Sequence, residues 1–243
     1  MQQSTIVRHR RLNSDAAMDL PIVELAQIGP LRAVLTTAQA GDMNQLPSWS
    51  RICAALKLSP ERICRVPQRH TRRVVIATVE PETPSHPADG MISAGTRQVL
   101  CVSVADCLPI FLIENDGNRF ALLHSGWRGT GIAINALNHL GRSTNNYHAI
   151  IGPGIGPCCY TVPAERAIRF RNHFGLETAE VSTNHGHIDL RTANVNLLIK
   201  AGIRVITVYQ DCTYCSPALI SYRADRDAGC DGSRRMSALI GRF

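Results

Sequence analysis

The sequence predicts an α+β protein in which mixed sheets are packed with helices on the outside. Strand and helix patterns follow one another without the regular βαβ alternation of a doubly wound parallel sheet. Of the 243 residues, 44% are hydrophobic and 19% are charged, which is typical of a folded domain. A chain of this length buries a sizeable core without disulfide bonds. Because only 5% of the residues are aromatic, Ile, Leu, Val and Ala must form most of that core.

The N-terminal segment differs in composition from the rest of the chain. Residues 1–20 are polar, Arg-rich and without an apolar period, which predicts a flexible arm ahead of a single catalytic domain at residues 21–243. This segment lacks the apolar stretch of a signal peptide, and no run of about 18 apolar residues follows it. We therefore expect a cytoplasmic protein without a membrane span.

Strand and helix patterns alternate through the first part of the domain. A weak strand pattern runs from Ile22 to Thr37 and is interrupted by Gly29-Pro30. Apolar residues at helical spacing predict a helix from Ser48 to Leu58. The β-branched run from Val74 to Val79 predicts a strand, and the proline-rich segment from Glu80 to Gly90 predicts a loop.

The centre of the chain has the strongest pattern. Gln98 to Glu114 form a long apolar run, which predicts a strand that breaks at Asp106-Cys107-Leu108-Pro109 and then resumes. Asn115-Asp116-Gly117-Asn118 is a hairpin turn signal, and Phe120 to His124 would return as the partner strand.

Helices and short strands are predicted in the remaining part. The expected helices are Gly129–Leu140, Pro163–Phe174 and Asp189–Ala201. The expected strands are Ala149–Ile151, Val205–Tyr209, Leu219–Tyr222 and Met236–Ile240. Pro163 suits the first turn of its helix, and Asp189 suits a helix N-cap.

Charge and cysteine content narrow the functional classes. The net charge is +7, and Lys57 and Lys200 are the only lysines. Arginine binds carboxylate and phosphate through its planar fork, so an anionic ligand is compatible. The arginines are scattered and no aromatic-rich basic motif occurs, so nucleic acid is not an expected partner. Nine cysteines in a reducing compartment favour metal ligands and buried thiols over disulfide bonds.

Three candidate metal ligands lie near the ends of predicted strands. His70 precedes a strand, Cys107 lies at the break of the central run, and His124 ends the following strand. Catalytic zinc commonly has three such protein ligands and an open fourth position. Their spacing matches no local zinc motif, so the pattern alone leaves open that the histidines are ordinary core or surface residues.

Three ordered blocks give a more specific signal. They are Val104-Ala105-Asp106-Cys107-Leu108-Pro109, His124-Ser125-Gly126-Trp127-Arg128-Gly129 and Gly152-Pro153-Gly154-Ile155-Gly156-Pro157. They resemble the signature blocks of the YfiH-like family, long labelled multicopper polyphenol oxidoreductases (laccase domain) and now regarded as purine nucleoside phosphorylases with adenosine deaminase activity. Gln68-Arg69-His70 and Ser221-Tyr222-Arg223 are similar to two further family motifs. The likeness runs from about residue 40 to the C-terminus.

The resemblance implies a YfiH-like sandwich and a zinc-dependent purine nucleoside phosphorylase that acts on adenosine- or inosine-type nucleosides and phosphate. The family's zinc ligands correspond to His70, Cys107 and His124. Some positions depart from the family pattern: Thr71 stands in place of Gly, and Ala224 in place of a second Arg. The family's N-terminal motifs are largely missing, which leaves open whether turnover is retained. The sequence does not fix the preferred nucleoside or the choice between a monomer and a homodimer.

Further site residues are candidates for catalysis and substrate binding. Asp106 is either a proton shuttle beside the metal or a structural residue that caps the broken strand. Arg128 is expected to hold phosphate, with Arg223 assisting, although both could be surface ion-pair formers. Gly152 and Gly156 would form a wall of the nucleoside pocket, and Tyr160 would provide a stacking face or part of the core.

The sequence also allows functions other than that of a nucleoside enzyme. One is an enzyme acting on peptidoglycan precursors, and another is a non-catalytic binding protein with structural zinc. Copper is a less favoured metal than zinc, because a multicopper oxidase needs about ten histidines in His-X-His pairs. This chain has nine histidines and one such pair, His185-Gly186-His187, in a polar segment expected to be an exposed loop. Cys212 and Cys215 are expected to be a reduced pair, although a redox or zinc role stays open.

Overall fold

The computed structural model describes residues 4–77, 86–93, 95, 97–141, 144–176 and 184–243. The strands are β1 (Ile6–Arg10), β2 (Ile22–Ile28), β3 (Leu31–Thr36), β4 (Ile63–Cys64), β5 (Val74–Ala77), β6 (Gly90–Ser93), β7 (Val99–Val104), β8 (Leu108–Glu114), β9 (Phe120–Ser125), β10 (Tyr147–Ile151), β11 (Thr161–Pro163), β12 (His185–His187), β13 (Val205–Tyr209) and β14 (Met236–Gly241). The helices are α1 (Ser14–Asp19), α2 (Leu46–Leu56), α3 (Ile132–Leu140), α4 (Ala164–Phe174), α5 (Leu190–Lys200) and α6 (Tyr222–Asp227). None of these described helices combines the length and apolar character needed to cross a bilayer.

Two large sheets form the centre of the molecule. The first has seven strands in the order β1-β13-β10-β8-β9-β6-β5, and the second has five in the order β2-β3-β14-β7-β4. Both sheets are mixed: β8 is antiparallel to β9 and β10, whereas β10 and β13 are parallel. A separate two-stranded sheet pairs β11 with β12.

The two large sheets pack face to face. Successive residues of a strand point to opposite faces, so Phe111 and Ile113 of β8 face the second sheet and join one core cluster with Val102 of β7. Ile110 and Leu112 point the other way. The central strands are therefore buried on both sides, which explains their nearly continuous apolar sequence.

Helices cover the outer faces of this sandwich. The cluster around Ile110 also contains Ala136 of α3, Phe170 of α4 and Leu198 of α5. On the opposite side, Trp49 and Ile52 of α2 pack with residues of β3, β7 and β14. The arrangement confirms the predicted fold class of mixed sheets with helices outside.

Most predicted elements are present in the structure. The central run divides into β7 and β8 on either side of Asp106-Cys107, and β8 and β9 form the predicted hairpin. Asp189 caps α5, because its side chain accepts a hydrogen bond from the Thr192 N–H. Residues 78–85, which hold the end of one predicted strand and most of the predicted proline-rich loop, lie outside the described residues.

The expected flexible arm is wrong for the described part of residues 1–20. Residues 6–10 form β1, which pairs in parallel with β13 along the edge of the seven-stranded sheet. The backbone supplies these hydrogen bonds, so an exposed edge strand needs no apolar period. That residues 21–243 form a single catalytic domain stays a prediction.

Two short segments also differ from prediction. Leu219 and Ile220 are buried but lie in a turn instead of a strand, because Ser221 caps α6 by accepting from the Ala224 N–H. The predicted polar loop at 185–187 is the strand β12, since it pairs with β11.

Candidate metal centre and its cavity

The structure brings His70, Cys107 and His124 together. Their candidate ligand atoms all lie within 4.8 Å of one another, and the His70 and His124 ring centroids are 4.9 Å apart. The β8–β9 register pairs Pro109 with His124, so the end of β9 lies beside the β7–β8 break that carries Cys107. His70 comes from the loop before β5. Three candidate ligands that are distant in sequence thus meet at one end of the hairpin.

The buried carboxylate of Asp89 positions two of these three residues. It is 0% exposed and accepts hydrogen bonds from the backbone N–H groups of Arg69, His70 and Thr71 at 3.1, 2.9 and 2.6 Å. These bonds hold His70 in a left-handed conformation with φ 59°. Asp89 also lies 2.8 Å from Nδ1 of His124, which leaves Nε2 as the ligand nitrogen. A carboxylate behind a histidine is a common support for a metal ligand.

The sequence does not predict the role of Asp89. It belongs to the proline-rich segment that was interpreted only as a loop, one residue before β6. The feature that could have indicated its role is its position directly before a strand. An aspartate at the start of a strand can be buried beside a histidine on the neighbouring strand. That arrangement depends on the pairing of β6 with β9, which the sequence does not reveal.

The electrostatics favour a deprotonated thiol at Cys107. Burial opposes ionisation, but the neighbouring His124 and His70 lower the pKa of Cys107 below its usual value. Burial disfavours a charged His124, yet Cys107 and Asp89 raise the pKa of this imidazole. A thiolate and histidine nitrogens in contact are the donor set that zinc prefers.

The space around Cys107 also fits a bound ion. A Cβ atom on Gly126 would lie 2.7 Å from Cys107 Sγ and 3.3 Å from His70 Cδ2, so only glycine leaves room between these ligands. Cys101 is 2% exposed and packs with α2, so it does not join this cluster among the described residues. The cluster therefore has two histidines and one cysteine, as expected of an open site.

A cavity of about 670 Å³ adjoins the cluster, a size suited to a small organic substrate. Its wall contains the three candidate ligands, three arginines and several aromatic residues. The lining residues are Val66, Gln68, His70, Ser103, Ala105, Asp106, Cys107, His124, Trp127, Ile155, Tyr160, Arg166, Leu190, Tyr222, Arg223 and Arg235. Among the predicted substrate-binding residues, Tyr160 and Arg223 lie on this wall.

Asp106 also lines the cavity, but both of its carboxylate oxygens have partners. Oδ1 accepts from Thr213 Oγ1 at 2.6 Å, and Oδ2 accepts from the Arg223 backbone N–H at 2.7 Å. Its backbone has φ 81°, and its carbonyl accepts from the Ile155 N–H. Asp106 thus connects the ligand-bearing break to two other walls of the cavity.

Arg128, Gly152 and Gly156 do not line the cavity. Arg128 is exposed, with its Cζ 5.0 Å from the Trp127 ring centroid. The glycines lie close behind the wall: a Cβ on Gly152 would be 2.7 Å from Pro109 Cγ, and one on Gly156 would be 3.1 Å from Arg191 Nη1. Both permit close packing, and Ile155 between them contacts the cavity.

Arg166 and Arg235 are cationic wall residues that sequence analysis missed. The Arg166 Cζ lies 4.8 Å from the Trp127 ring centroid, and the Arg235 Cζ lies 5.8 Å from that of Tyr222. Arg166 belongs to α4 and Arg235 precedes β14. Neither is within the three ordered sequence blocks, so only the folded chain places them beside Arg223.

Replacing Asp89 by Asn should weaken zinc binding by about 10–100-fold, the usual cost of losing such a support. The amide side chain of this variant would place an NH₂ group against N–H donors that the carboxylate oxygens of Asp89 now accept from. The backbone of His70 and the ring of His124 would therefore lose the contacts that position them. Competition with a chromophoric zinc chelator measures this change. Asp116→Asn, at an exposed acid in the β8–β9 turn, is the matched control, and equal affinities in the two variants would contradict the role of Asp89.

The same substitution should alter the acid stability of the metal-free protein. Burial opposes ionisation of Asp89, but His124 and the N–H groups of the loop lower its pKa from 3.8 to about 2. Its contribution of about 2 kcal/mol to the free energy of unfolding is complete above pH 3.8 and is lost as the pH falls through about 2. Denaturant unfolding of Asp89→Asn should show a flatter dependence on pH over this range.

The fold and this cluster define a class: a mixed α+β protein with a candidate metal site of two histidines and one cysteine beside a cavity. The chain belongs to the multi-copper polyphenol oxidoreductase laccase family, whose family model matches residues 40–242. Membership agrees with the resemblance found in the sequence blocks.

Individual relatives give more detail. The chain is 36% identical over 169 residues to a Geobacillus stearothermophilus protein named purine nucleoside phosphorylase YlmD, a match that covers 63% of this chain and 60% of the relative's length. It is 28% identical over 187 residues to adenosine deaminase RL5 from an unknown prokaryotic organism. This match covers 72% of this chain and 71% of the relative's length. The crystal structure of Bacillus licheniformis YfiH superposes with a TM-score of 0.81 at 24% identity, covering 93% of this chain and 98% of that chain.

Proposed function

We propose that this protein is a zinc-dependent purine nucleoside phosphorylase acting on adenosine- or inosine-type nucleosides. One observation carries the proposal: the His70–Cys107–His124 cluster opens onto a cavity whose wall combines cationic and aromatic side chains. The Geobacillus stearothermophilus relative named purine nucleoside phosphorylase YlmD supports it.

The reaction requires two kinds of contact. A phosphate oxygen forms a bond to the anomeric carbon of the ribose, while the bond from that carbon to the purine nitrogen breaks. The electron pair of the broken bond stays on the purine, which takes up a proton as it leaves. A site for this reaction must hold a phosphate dianion and a flat heterocycle on adjacent walls.

The arginines of the cavity suit the phosphate. Arg166, Arg223 and Arg235 line the same cavity, and guanidinium groups bind phosphate through paired N–H donors. Arg223 donates one Nη2 hydrogen bond to the Thr161 carbonyl at 3.0 Å, which fixes its direction and leaves other N–H groups available. The rings of Trp127 and Tyr160 on the wall offer flat apolar surfaces for the purine.

Zinc held by His70, Cys107 and His124 would supply Lewis-acid polarisation beside the substrate. Asp106 acts in this proposal as a positioning residue. By accepting from Thr213 Oγ1 and the Arg223 N–H, it holds the start of α6 against the ligand-bearing break, and so it directs Arg223 into the cavity.

Adenosine deamination is a second proposed activity of the same cavity. The relative named adenosine deaminase RL5 favours it. Deamination replaces the purine amine by an oxygen from water and releases ammonia, so it requires no phosphate. The two reactions therefore have different dependences on phosphate and can be measured separately in one preparation.

The nine cysteines are all free thiols in the structure, which supports a proposed location in the reducing cytoplasm. That the protein is a monomer or a homodimer stays a prediction.

The decisive experiment incubates the purified protein with adenosine or inosine, with and without inorganic phosphate. Phosphorolysis predicts equal amounts of free purine base and ribose 1-phosphate, formed only when phosphate is present. Inosine and ammonia formed from adenosine without phosphate would demonstrate the deaminase activity. A zinc-loaded protein that converts neither nucleoside would refute the proposal.

A parallel incubation with muropeptide precursors tests the alternative that the sequence also suggested. Turnover of these precursors without nucleoside turnover would assign the cavity to cell-wall metabolism. Absence of turnover with all substrates, together with a fourth protein ligand on zinc, would favour a non-catalytic binding protein.

A further inference from the structure

Four cysteines outside the candidate metal centre form a second cluster. Cys158, Cys159, Cys212 and Cys215 place their sulfur atoms within 4.8 Å of one another. Cys215 Sγ lies 3.3 Å from Cys159 Sγ and 3.9 Å from Cys158 Sγ. The sequence predicts Cys212 and Cys215 only as an isolated pair, and no proposed catalytic step uses any of these four residues.

The sheet explains why these cysteines meet. β10 and β13 are parallel neighbours, so the segments that follow them leave the same edge of the sheet. Gly154 forms a parallel bridge with Cys212, and its carbonyl accepts from the Thr213 N–H at 3.2 Å. The loop after β10 continues to Cys158-Cys159, and the turn after β13 continues to Cys215. The cluster is thus built from backbone that is fixed on both sides.

The sulfur distances fit one tetrahedral ion. With a Zn–S bond of about 2.3 Å, the sulfurs of a tetrahedral four-thiolate site lie about 3.8 Å apart. The observed separations lie around this value, whereas a disulfide requires about 2.05 Å. A cluster of two irons would move the sulfur pairs further apart, so a mononuclear site is the better match.

A hydrogen bond to Cys212 also suits a thiolate ligand. The Gly156 N–H donates to Cys212 Sγ at 3.2 Å. Backbone N–H donors favour the charged form of a buried group. Such donors around a ligand sulfur are a common second layer of metal sites.

A buried cation lies behind the cluster. Arg191 is 5% exposed, and its Nη2 donates to the carbonyls of Gly154 and Asp211. Its Nε has no hydrogen-bond partner among the described residues, and the carboxylates of Asp189 and Asp211, which attract it, lie beyond ion-pair distance. A buried guanidinium needs nearby negative charge. Zinc with four thiolates carries a net charge of −2 and would supply it.

We propose that Cys158, Cys159, Cys212 and Cys215 bind one structural zinc ion. The ion joins the loop that leads to Tyr160 with the turn that carries Thr213. Tyr160 lines the cavity, and Thr213 donates to Asp106, so the ion braces one wall of the candidate active site. The site has four protein ligands and no open position, and it does not depend on the proposed catalytic function.

Metal analysis of the full-length protein tests this site. Elemental analysis should find two zinc ions per chain in the parent. Cys215→Ser and Cys158→Ser should each retain one, because both remove a ligand at an exposed position, and Cys107→Ala should lose the other ion. Cys230→Ser, at an exposed cysteine outside the cluster, is the matched control and should retain two. Using two cluster variants keeps the test valid if one of them fails to fold.

The Cys107→Ala variant isolates the second site for spectroscopy. X-ray absorption of its zinc should show four sulfur neighbours, and a chelator should lower its melting temperature. Zinc content unchanged by both cluster substitutions would overturn the proposal. So would a disulfide between two of the four cysteines in freshly purified protein, or iron or copper found in place of zinc.

Discussion

Cys107→Ala or His124→Ala should remove one bound zinc ion and lower phosphorolysis by at least about a hundredfold. Each substitution leaves two protein ligands where three now meet within 4.8 Å. The loss should appear in the metal content and in kcat, because a site without its ion lacks the Lewis acid. The fold should persist, because both residues lie near strand ends and the buried residues of these strands are mostly apolar.

Cys64→Ala is the matched control for Cys107→Ala. Both cysteines are half-buried, but Cys64 belongs to β4, away from the ligand cluster. The control should keep full zinc content and full activity. Circular dichroism and melting temperature report whether each variant is folded. Stoichiometric zinc at this site in both the Cys107 and His124 variants would contradict the ligand assignment.

The sandwich was predictable where burial determines the sequence. β8 is buried along its whole length, so its run of apolar residues is visible without a structure, as is the break at Asp106-Cys107. β1 was not predictable, because its residues are largely exposed and its order comes from backbone pairing with β13. The predicted strand at Leu219 and Ile220 was wrong for the opposite reason. These two residues are buried in a turn, and a short apolar sequence of this kind has the same pattern as a short strand.

The candidate site shows the same division. His70, Cys107 and His124 were proposed through a family resemblance, since their spacing alone matches no metal motif. Asp89 was missed because its role arises from the pairing of β6 with β9. The cysteine cluster was missed because Cys158-Cys159 and Cys212 belong to loops that only the parallel pairing of β10 and β13 brings together.

Arg223→Ala should raise the KM for phosphate and lower kcat/KM by about 30–150-fold, the effect of losing a charge-assisted hydrogen bond worth about 2–3 kcal/mol. The guanidinium faces the cavity, and its Cζ lies 5.9 Å from the Tyr160 ring centroid. The backbone N–H that binds Asp106 is retained in the variant, so α6 should stay in place. Steady-state kinetics at varied phosphate and at varied nucleoside separate a phosphate contact from a purine contact.

Arg128→Ala is the matched comparison, because the sequence assigned phosphate binding first to Arg128 and the structure places it outside the cavity wall. If Arg223 holds phosphate, Arg128→Ala should change the KM for phosphate by less than about threefold, the range typical of an exposed charge. If Arg128 instead reaches the substrate from the cavity rim beside Trp127, Arg128→Ala will raise the KM for phosphate strongly and Arg223→Ala will change it little. The pair therefore decides which guanidinium meets the anion.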